Sequence, residues 1–339
     1  MSQSHFYLII SIFILFQILI ILYFKNLSTF FNFFDSPDNI RKKHSHKTSL
    51  LGGSIIFLSL IFNYVLFLID NFFVLNQEFF FKSHIQYIYF SLTCFLMFAI
   101  GLVDDKYNLG YFAKMFSTSI VIFTLVFLDK DLVINKIQLS FYSEIINVSK
   151  ISLIFTTLCF LLFINAVNMF DGIDGQVGLY SLFILSLILF FTGINDLIIF
   201  LLISFITFLC LNLQKKCFLG DSGTILIGFI FSYLLIKLYK SDIIYFADKI
   251  FLIMIIPGLD MLRLFAERLI KKKNPFKGDN NHIHHLFQFK FSKFKSILYS
   301  QLLIIIPVIS SFYFNLLMII FLTIIIYFLI ITILKSYDD

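Results

Sequence analysis

Four short stretches of this sequence combine carboxylates, amides and histidines in spacings that could do chemistry. They are Asp104-Asp105, the segment from Asn168 to Asp174, the segment Gly220-Asp221-Ser222-Gly223, and the histidines His282, His284 and His285. The three acidic stretches offer oxygen ligands only, and oxygen ligands suit Mg²⁺ or Mn²⁺ rather than zinc or copper. We therefore expect a hard divalent cation, Mg²⁺ or Mn²⁺, as the cofactor.

Cationic side chains accompany these stretches. Lys114, Arg263 and the three histidines can donate charge-assisted hydrogen bonds to phosphate oxygens. A divalent cation, carboxylates and phosphate donors in one site are typical of phosphoryl transfer. The chemistry that these residue types predict is therefore the transfer of a phosphoryl group.

Each stretch taken alone also has a purely structural explanation. Asp104-Asp105 could end a helix at the lipid headgroups, and Asp221-Ser222 could cap the start of one. The run Lys271-Lys272-Lys273 could mark membrane topology and bind anionic lipid. The chemical interpretation requires the four stretches to lie on the same side of the membrane, whereas the structural explanations do not.

The rest of the chain is too apolar for a soluble enzyme. Of its 339 residues, 60% are hydrophobic, with 49 Phe, and only 14% are charged, against about 25% in ordinary globular proteins. A soluble fold cannot hide that much apolar surface from water, whereas a bilayer accepts it in spans of about 20 residues. The elements that must position the four stretches are therefore transmembrane helices.

Apolar stretches that predict membrane-spanning helices recur along the whole chain when it is scanned in windows of about 19 residues. There are eleven, at 5–24, 49–69, 85–103, 112–129, 151–167, 177–193, 196–213, 222–239, 247–266, 297–314 and 316–334. The fold class predicted is an all-α polytopic integral membrane protein, with a single transmembrane domain over 1–339. The alternating segment 130–150 predicts a small external β-hairpin.

The distribution of Lys and Arg predicts the orientation, because positive charge accumulates on the cytoplasmic side. With the N-terminus outside, seven of the 26 basic residues lie outside, namely Lys82, Lys130, Lys136, Lys150, Lys237, Lys240 and Lys249. The C-terminus is then inside. The net charge of +6 is explained by this topology and gives no indication of a nucleic-acid partner.

This orientation brings all four stretches to the cytoplasmic side of the inner (plasma) membrane. The predicted catalytic loops are 25–48, 104–111, 168–176, 214–221 and 267–296. We therefore expect a multi-pass protein with its active site on the cytoplasmic face. Because all four stretches lie on this side, a separate structural explanation for each of them becomes less convincing.

Six motifs in order over residues 35–285 resemble the polyprenyl-phosphate N-acetylhexosamine-1-phosphate transferases of glycosyltransferase family 4. They are Asp35-Ser36-Pro37 with Arg41-Lys42-Lys43-His44 and Gly52-Gly53, the Asp104-Asp105 pair, Asn165 to Gly175, Phe218 to Gly223, Asp260 to Arg263, and Asn274 to His285. The histidine arrangement and the wording NMFDGIDG resemble the WecA-like branch. The muramoyl-pentapeptide branch typically has three consecutive histidines instead.

The resemblance implies transfer of N-acetylhexosamine-1-phosphate, with GlcNAc-1-phosphate as the expected group, from a UDP-sugar to undecaprenyl phosphate. The implied products are an undecaprenyl-diphosphate-sugar and UMP, at the first membrane step of cell-wall polymer or surface polysaccharide synthesis. The implied partners are these two substrates and membrane lipid, and a homodimer is compatible with them. A muramoyl-pentapeptide-type phosphotransferase, which has the same chemistry, is the alternative.

The resemblance also implies roles for individual residues. Asn168 and Asp221 match the metal-binding pair, and Asp104 and Asp105 match the catalytic pair that activates or positions the lipid phosphate. The residues that match substrate contacts are Lys114, Asp171, Asp174, Arg263, His282, His284, His285 and His44.

Other protein classes fit the sequence less well. Asp221 in its Leu-Gly-Asp context resembles intramembrane aspartyl proteases, but Phe218 stands where their first glycine is expected. A carboxylate-based secondary transporter would carry its acids near the membrane centre, whereas these lie at one face. Lipid phosphotransferases of the CDP-alcohol class need a longer acidic motif than the segment 171–175 supplies.

Overall fold

The computed structural model describes residues 3–35, 47–69, 80–276 and 281–336, and these residues are mainly helical. The helices are α1 Gln3–Phe31, α2 Gly52–Ile69, α3 His84–Tyr107, α4 Tyr111–Leu128, α5 Ser152–Phe170, α6 Gln176–Thr192, α7 Asp196–Leu213, α8 Gly220–Lys240, α9 Ala247–Ile253, α10 Ile255–Ile270, α11 Ile283–Lys290, α12 Lys293–Ser310 and α13 Leu316–Lys335. Apolar runs of this length become helices because a helix satisfies its own backbone hydrogen bonds in lipid.

Nine helices in these described ranges are long and apolar enough to cross a membrane, namely α1 to α5, α7, α8, α12 and α13. They confirm the prediction of an all-α polytopic membrane protein. The number of spans and the orientation of the N-terminus stay predictions. Helix α6, at 17 residues, is apolar but shorter than these nine.

The predicted span 247–266 differs from the structure, which has two helices there. Met254 separates α9 from α10, because its backbone (φ −98°, ψ 7°) leaves the regular helical geometry. Pro257 follows within the first turn of α10. Proline has no N–H to donate and clashes with the preceding turn, so it is accepted where a helix restarts and not in its interior.

The β-hairpin predicted within 130–150 is present. Strand β3, Lys136–Leu139, pairs antiparallel with β4, Tyr142–Asn147, with Ile137 opposite Ile146. The N–H of Ser140 in the turn donates to Asp248 Oδ1 (3.1 Å), which fastens the hairpin to α9. A second antiparallel pair is shorter and comes earlier in the chain, β1 Phe34–Asp35 with β2 Thr48–Ser49.

The chain separates into two compact units. The first is Met1–Gly110 with Gly178–Leu226, and the second is Tyr111–Val177 with Ile227–Asp339. Helix α8 therefore contributes its first turns to the first unit and the rest of its length to the second. The predicted loop 267–296 lies in the second unit and contains helix α11.

Aromatic side chains hold the first unit together. Phe13 of α1 lies 4.8 Å from the ring of Phe62 in α2 and 4.9 Å from that of Phe200 in α7, centroid to centroid. Offset and edge-on ring pairs at such distances pack well and add to the burial of apolar area. The three helices are thereby joined through one buried cluster.

The second unit is built around α5, which packs against α4 and α10. The α8 residues of this unit also contact α5, where the rings of Phe160 and Phe229 stack at 5.8 Å. Helices α11, α12 and α13 pack on one another at the C-terminal end of the unit. Two of the sequence stretches, Asn168 to Asp174 and the histidines, thus belong to one packed unit.

Candidate active site

Asp105, at the end of α3, holds the beginning of α8. Its Oδ1 accepts the backbone N–H of Asp221 (2.7 Å) and its Oδ2 accepts that of Ser222 (2.9 Å). The first N–H groups of a helix lack partners within the helix, and a carboxylate is a strong partner for them. Two of the predicted site residues, Asp105 and Asp221, are therefore in direct contact.

Close backbone approach makes this contact possible. A Cβ on Gly101 would lie 2.3 Å from the Cα of Ser222, so α3 and α8 can cross here only with glycine at 101. The N–H groups of Gly52 and Gly53, at the start of α2, donate to the carbonyls of Phe218 (3.0 Å) and Leu219 (3.1 Å). Two glycine-containing motifs of the sequence thus fix the loop before Asp221.

The other two carboxylates predicted for the site in the first unit, Asp104 and Asp221, differ in exposure. Asp104 is buried, with 5% of its surface exposed, whereas Asp221 is half-buried at the first turn of α8. The role of Asp221 as a metal ligand stays a prediction.

The end of α5 carries the predicted residues of the next motif. Asn168 is half-buried in the last turn of α5, Asp171 follows the helix and is exposed, and the two are joined by the N–H of Asp171 and the carbonyl of Asn168 (3.4 Å). Asp174 forms an ion pair with Lys293 of α12. The motif therefore connects two parts of the second unit through a charge pair that the sequence did not predict.

The carboxylate of Asp260, in α10, organises the histidine motif. Its Oδ2 lies 2.8 Å from Nδ1 of His282, and its Oδ1 accepts the backbone N–H of Ile283 (3.1 Å). The rings of His282 and His284 are parallel at 5.3 Å, and His285 lies 4.3 Å from His284. The three histidines are therefore gathered at the start of α11.

Arg263 is one turn after Asp260 and is almost entirely engaged inside the protein. Its NH2 donates to Asp260 Oδ1 (2.8 Å) and to the carbonyl of Asn281 (2.7 Å), its NH1 to Glu267 (2.8 Å) and its Nε to Tyr327 (2.8 Å). Of the five N–H groups of a guanidinium, four are thus used. Direct contact of Arg263 with substrate stays a prediction, and the structure shows it supporting Asp260.

His284 is fully buried and neither ring nitrogen has a hydrogen-bond partner. Its Nε2 faces the backbone of Gly172, where a Cβ would lie only 1.7 Å away. The segment Asp171 to Asp174 and the histidine motif, 110 residues apart in sequence, are therefore in contact within the second unit.

Burial also decides the charge of His284. Loss of solvent lowers the pKa of this imidazole well below 6.5, and the neighbouring charges of His285 and His282 lower it further. His284 is therefore neutral near pH 7. It therefore contributes no positive charge toward a phosphate.

Two further predicted contacts remain, Lys114 and His44. Lys114 is half-buried in the first turn of α4. His44 lies outside the described residues. Their roles as substrate contacts stay predictions.

A metal ion would need ligands beyond the acidic side chains. Within the part of the chain that the structure describes, no three His, Cys, Asp or Glu side chains form a group that could hold a metal. Mg²⁺ normally takes one or two carboxylates and completes its shell with waters and substrate phosphates. Asp221 and Asn168 each carry an oxygen donor of the kind that such a site uses, and their role as metal ligands stays a prediction.

Three residues of the site had no predicted role: Asp260, which lies in one of the six motifs, and Lys293 and Tyr327, which lie in none. Asp260 could have been found, since it lies three residues before Arg263 on one helix, a spacing that pairs opposite charges. Lys293 and Tyr327 reach the site from α12 and α13 only through the tertiary fold.

The fold and these residues define a class of protein. It is a polytopic helical membrane protein with carboxylates at a helix start and a histidine motif bound to a carboxylate. The family model described as Glycosyl transferase family 4 matches residues 87–239. An undecaprenyl-phosphate alpha-N-acetylglucosaminyl 1-phosphate transferase of Thermotoga maritima is 32% identical over 267 residues, or 78% of this chain and 76% of the relative. The chain belongs to glycosyl transferase family 4.

Further relatives carry the same name. The protein from Escherichia coli K12 is 28% identical over 82% of this chain and 75% of its own length. The protein from Yersinia pestis is 27% identical over 74% of this chain and 68% of its own length. The similarity therefore extends over most of both chains and includes the region beyond residues 87–239.

Proposed function

We propose that this protein transfers GlcNAc-1-phosphate from UDP-GlcNAc to undecaprenyl phosphate, giving undecaprenyl-diphosphate-GlcNAc and UMP. The observation that carries the proposal is the 32% identity to the Thermotoga maritima transferase over 76% of that relative. We assign the chemistry to two parts of the chain. One is the contact of Asp105 with the start of α8, and the other is the group of three histidines.

The reaction is a displacement at phosphorus. An oxygen of the lipid phosphate bonds to the β-phosphorus of the UDP-sugar, and the bond from that phosphorus to the bridging oxygen breaks, so that UMP leaves with the bridging oxygen. The lipid phosphate is already anionic near pH 7, so the protein must align it and offset repulsion more than remove a proton.

Direct displacement is favoured over a covalent aspartyl intermediate. Both carboxylate oxygens of Asp105 accept backbone N–H groups, so neither is a free nucleophile. Asp104 is buried. We assign Asp104 and Asp105 to shaping the acceptor and metal sites, with Asp105 acting by fixing the loop that carries Asp221.

We propose that Asn168 and Asp221 hold Mg²⁺, for which Mn²⁺ could substitute, because both offer oxygen donors at half-buried positions. The cation would neutralise charge on the donor diphosphate and on the departing UMP. This pairing rests on the motifs in which the two residues occur.

The remaining residues are assigned to substrate binding. Asp171 and Asp174 belong to the nucleotide side, with Lys293 holding Asp174 in place. His282 and His285 are assigned to the diphosphate and sugar together with Lys114 and His44, and neutral His284 packs against Gly172 to support them. Arg263 contributes through Asp260, which carries His282.

We place the protein in the plasma membrane with this site on the cytoplasmic face, where a UDP-sugar is available. The excess of Lys and Arg in the loops with the motifs supports that orientation. A homodimer would be compatible with the same site.

The decisive experiment is an assay of UMP release. Purified protein in detergent is given undecaprenyl phosphate, Mg²⁺ and, in separate reactions, UDP-GlcNAc, UDP-GalNAc or UDP-glucose. Release of UMP with UDP-GlcNAc, with formation of the lipid-linked sugar, is the expected result. The proposal is overturned if none of the UDP-N-acetylhexosamines gives UMP.

Two variants make the assay specific. Asp221→Asn should nearly abolish UMP release while the protein remains in the membrane fraction. Lys272→Gln changes an exposed residue in the basic run after α10 and should leave the rate unchanged. Equal rates in both variants would contradict the role assigned to Asp221.

A further inference from the structure

Tyr327 carries a buried hydroxyl in a largely apolar helix. It lies in α13, is 0% exposed, and is far from every motif in the sequence. Its hydroxyl donates to Asp260 Oδ1 (2.9 Å) and accepts the Nε–H of Arg263 (2.8 Å). The last helix of the chain is thereby fastened to the two charged residues of α10 that support the histidine motif.

Asp260 is saturated by these contacts. Its Oδ1 accepts from Arg263 NH2, Tyr327 and the N–H of Ile283, and its Oδ2 faces Nδ1 of His282. A carboxylate paired with a guanidinium is ionised and can only accept. Nδ1 of His282 must therefore carry the hydrogen in this contact, which leaves Nε2 as the nitrogen that can act on a bound group.

We infer that Tyr327 is a positioning residue for the transfer reaction: its hydroxyl holds Asp260 and Arg263 in place, so that Asp260 fixes His282 as the Nδ1–H tautomer. This inference rests on the proposed function for its kinetic consequence only. The tautomer itself is a property of the folded protein.

The guanidinium of Arg263 is also held on the side opposite Tyr327. Glu267 accepts from Arg263 NH1 (2.8 Å) and also from Lys335 Nζ (2.7 Å), near the end of α13. Helix α13 thus contacts the Arg263 system twice, two turns apart. Removing the Tyr327 hydroxyl leaves the Lys335 contact intact but strips Nε of its acceptor in a buried place.

The kinetic test compares two tyrosines that lose the same number of hydrogen bonds. Tyr239, at the end of α8, accepts the N–H of Gln138 (2.9 Å) and donates to the carbonyl of Lys136 (3.1 Å). Tyr327→Phe should lower kcat/KM for UDP-GlcNAc about tenfold, the loss expected for one misplaced buried hydrogen bond. Tyr239→Phe should leave it unchanged, and an equal loss in both variants would overturn the inference.

A spectroscopic test is independent of turnover. Nitrogen-15 spectra of the histidines in detergent distinguish a protonated from an unprotonated ring nitrogen, and His282→Gln identifies the signals of His282 among the seven histidines. In the neutral ring of the native protein, Nδ1 should be protonated and Nε2 unprotonated. Tyr327→Phe should shift these signals toward a mixture of tautomers, and Tyr239→Phe should not.

A second variant covers the case in which Tyr327→Phe does not fold. Asp260→Asn keeps the shape of the side chain but can present an amide NH₂ to His282, and it should reverse the tautomer and lower kcat/KM about 100-fold or more. An Nε2–H tautomer in the native protein, or unchanged His282 signals in Asp260→Asn, overturns the inference. If the native protein releases no UMP, the proposed function fails while the spectra still test Tyr327.

Discussion

Asp105 Oδ1 accepts the backbone N–H of Asp221 at 2.7 Å, across 116 residues of sequence. The second oxygen of the same carboxylate accepts the N–H of Ser222. The Asp-Asp motif and the Leu-Gly-Asp-Ser-Gly motif are thus structurally linked. Asp105 of the first motif fixes the helix start that carries Asp221 of the second.

The variant Asp105→Asn tests this link. An amide has one acceptor oxygen and would turn its NH₂ toward the other backbone N–H, so one hydrogen bond becomes a repulsive contact. We expect a loss of stability of about 1–3 kcal/mol, together with a large fall in UMP release. Thermal unfolding in detergent and the UMP assay measure the two effects.

Lys106→Gln is the control for that variant, because Lys106 is the next residue on α3 and is exposed. It should change neither the melting temperature nor the rate. An unaltered melting temperature and rate for Asp105→Asn would show that the two hydrogen bonds contribute nothing to the site.

Gly172→Ala tests the contact between the segment after α5 and the histidine motif. The new Cβ would lie 1.7 Å from Nε2 of His284, whose fully buried ring has little room to move. We expect overpacking to cost about 1–3 kcal/mol and UMP release to fall because the motif is displaced. Differential scanning fluorimetry and the same assay report both.

The matched glycine is Gly258, in α10 of the same unit. A Cβ there meets nothing within 4 Å, and alanine favours a helix. Gly258→Ala should therefore be neutral or slightly stabilising. If Gly172→Ala behaves like Gly258→Ala, the tight contact with His284 does not exist.

The neutral His284 predicts a dependence of stability on pH. Burial holds the pKa of this imidazole well below 6.5, so the unfolded chain binds a proton at a higher pH than the folded chain. The stabilisation is present above about pH 6.5 and is lost as the pH falls below that value toward the lowered pKa. Melting temperatures measured from pH 8 to pH 5 should therefore decline below about pH 6.5.

His284→Leu should flatten this decline, because an apolar side chain of similar size has no proton to gain. His84, in α3, is exposed, and His84→Leu should retain the dependence of the native protein. A decline of the same steepness in His284→Leu would assign it to other groups.

The sequence predicted the helical fold and the residue types of the site because both have local signatures. Apolar runs define the spans, and carboxylates in a chain so poor in charge stand out, as Asp105 and Asp221 do. The scan for apolar stretches does not detect the break at Met254, because a single proline changes the mean hydropathy of a window very little. The effect of Pro257 on the backbone is local and steric.

Tyr327 and Lys293 could not be predicted for a different reason. Each reaches its partner through the packing of α12 and α13, and neither carries a pattern that distinguishes it from other tyrosines or lysines near membrane spans. The contact of Arg263 with phosphate stays a prediction, and the folded chain adds a supporting role that the sequence did not indicate, since four of its N–H groups serve other residues. A charged residue in a motif can thus act through its neighbours.

The proposed metal role of Asp221 predicts a binding effect that needs no substrate turnover. If Mg²⁺ binds the folded protein and not the unfolded chain, it raises the melting temperature, by an amount that grows with its concentration relative to Kd. EDTA should remove this rise and UMP release together, and Mg²⁺ or Mn²⁺ should restore both. Asp221→Asn should show little rise because one carboxylate ligand is lost.

Asp242→Asn is the matched control, because it makes the same chemical change at a residue outside the proposed metal site. Asp242 is exposed, and its backbone is in the left-handed region (φ 58°), which asparagine tolerates well. Asp242→Asn should therefore keep the native response to Mg²⁺. A full Mg²⁺-dependent rise in Asp221→Asn would remove Asp221 from the metal site, whereas a rise lost in both variants would trace the effect to general surface charge.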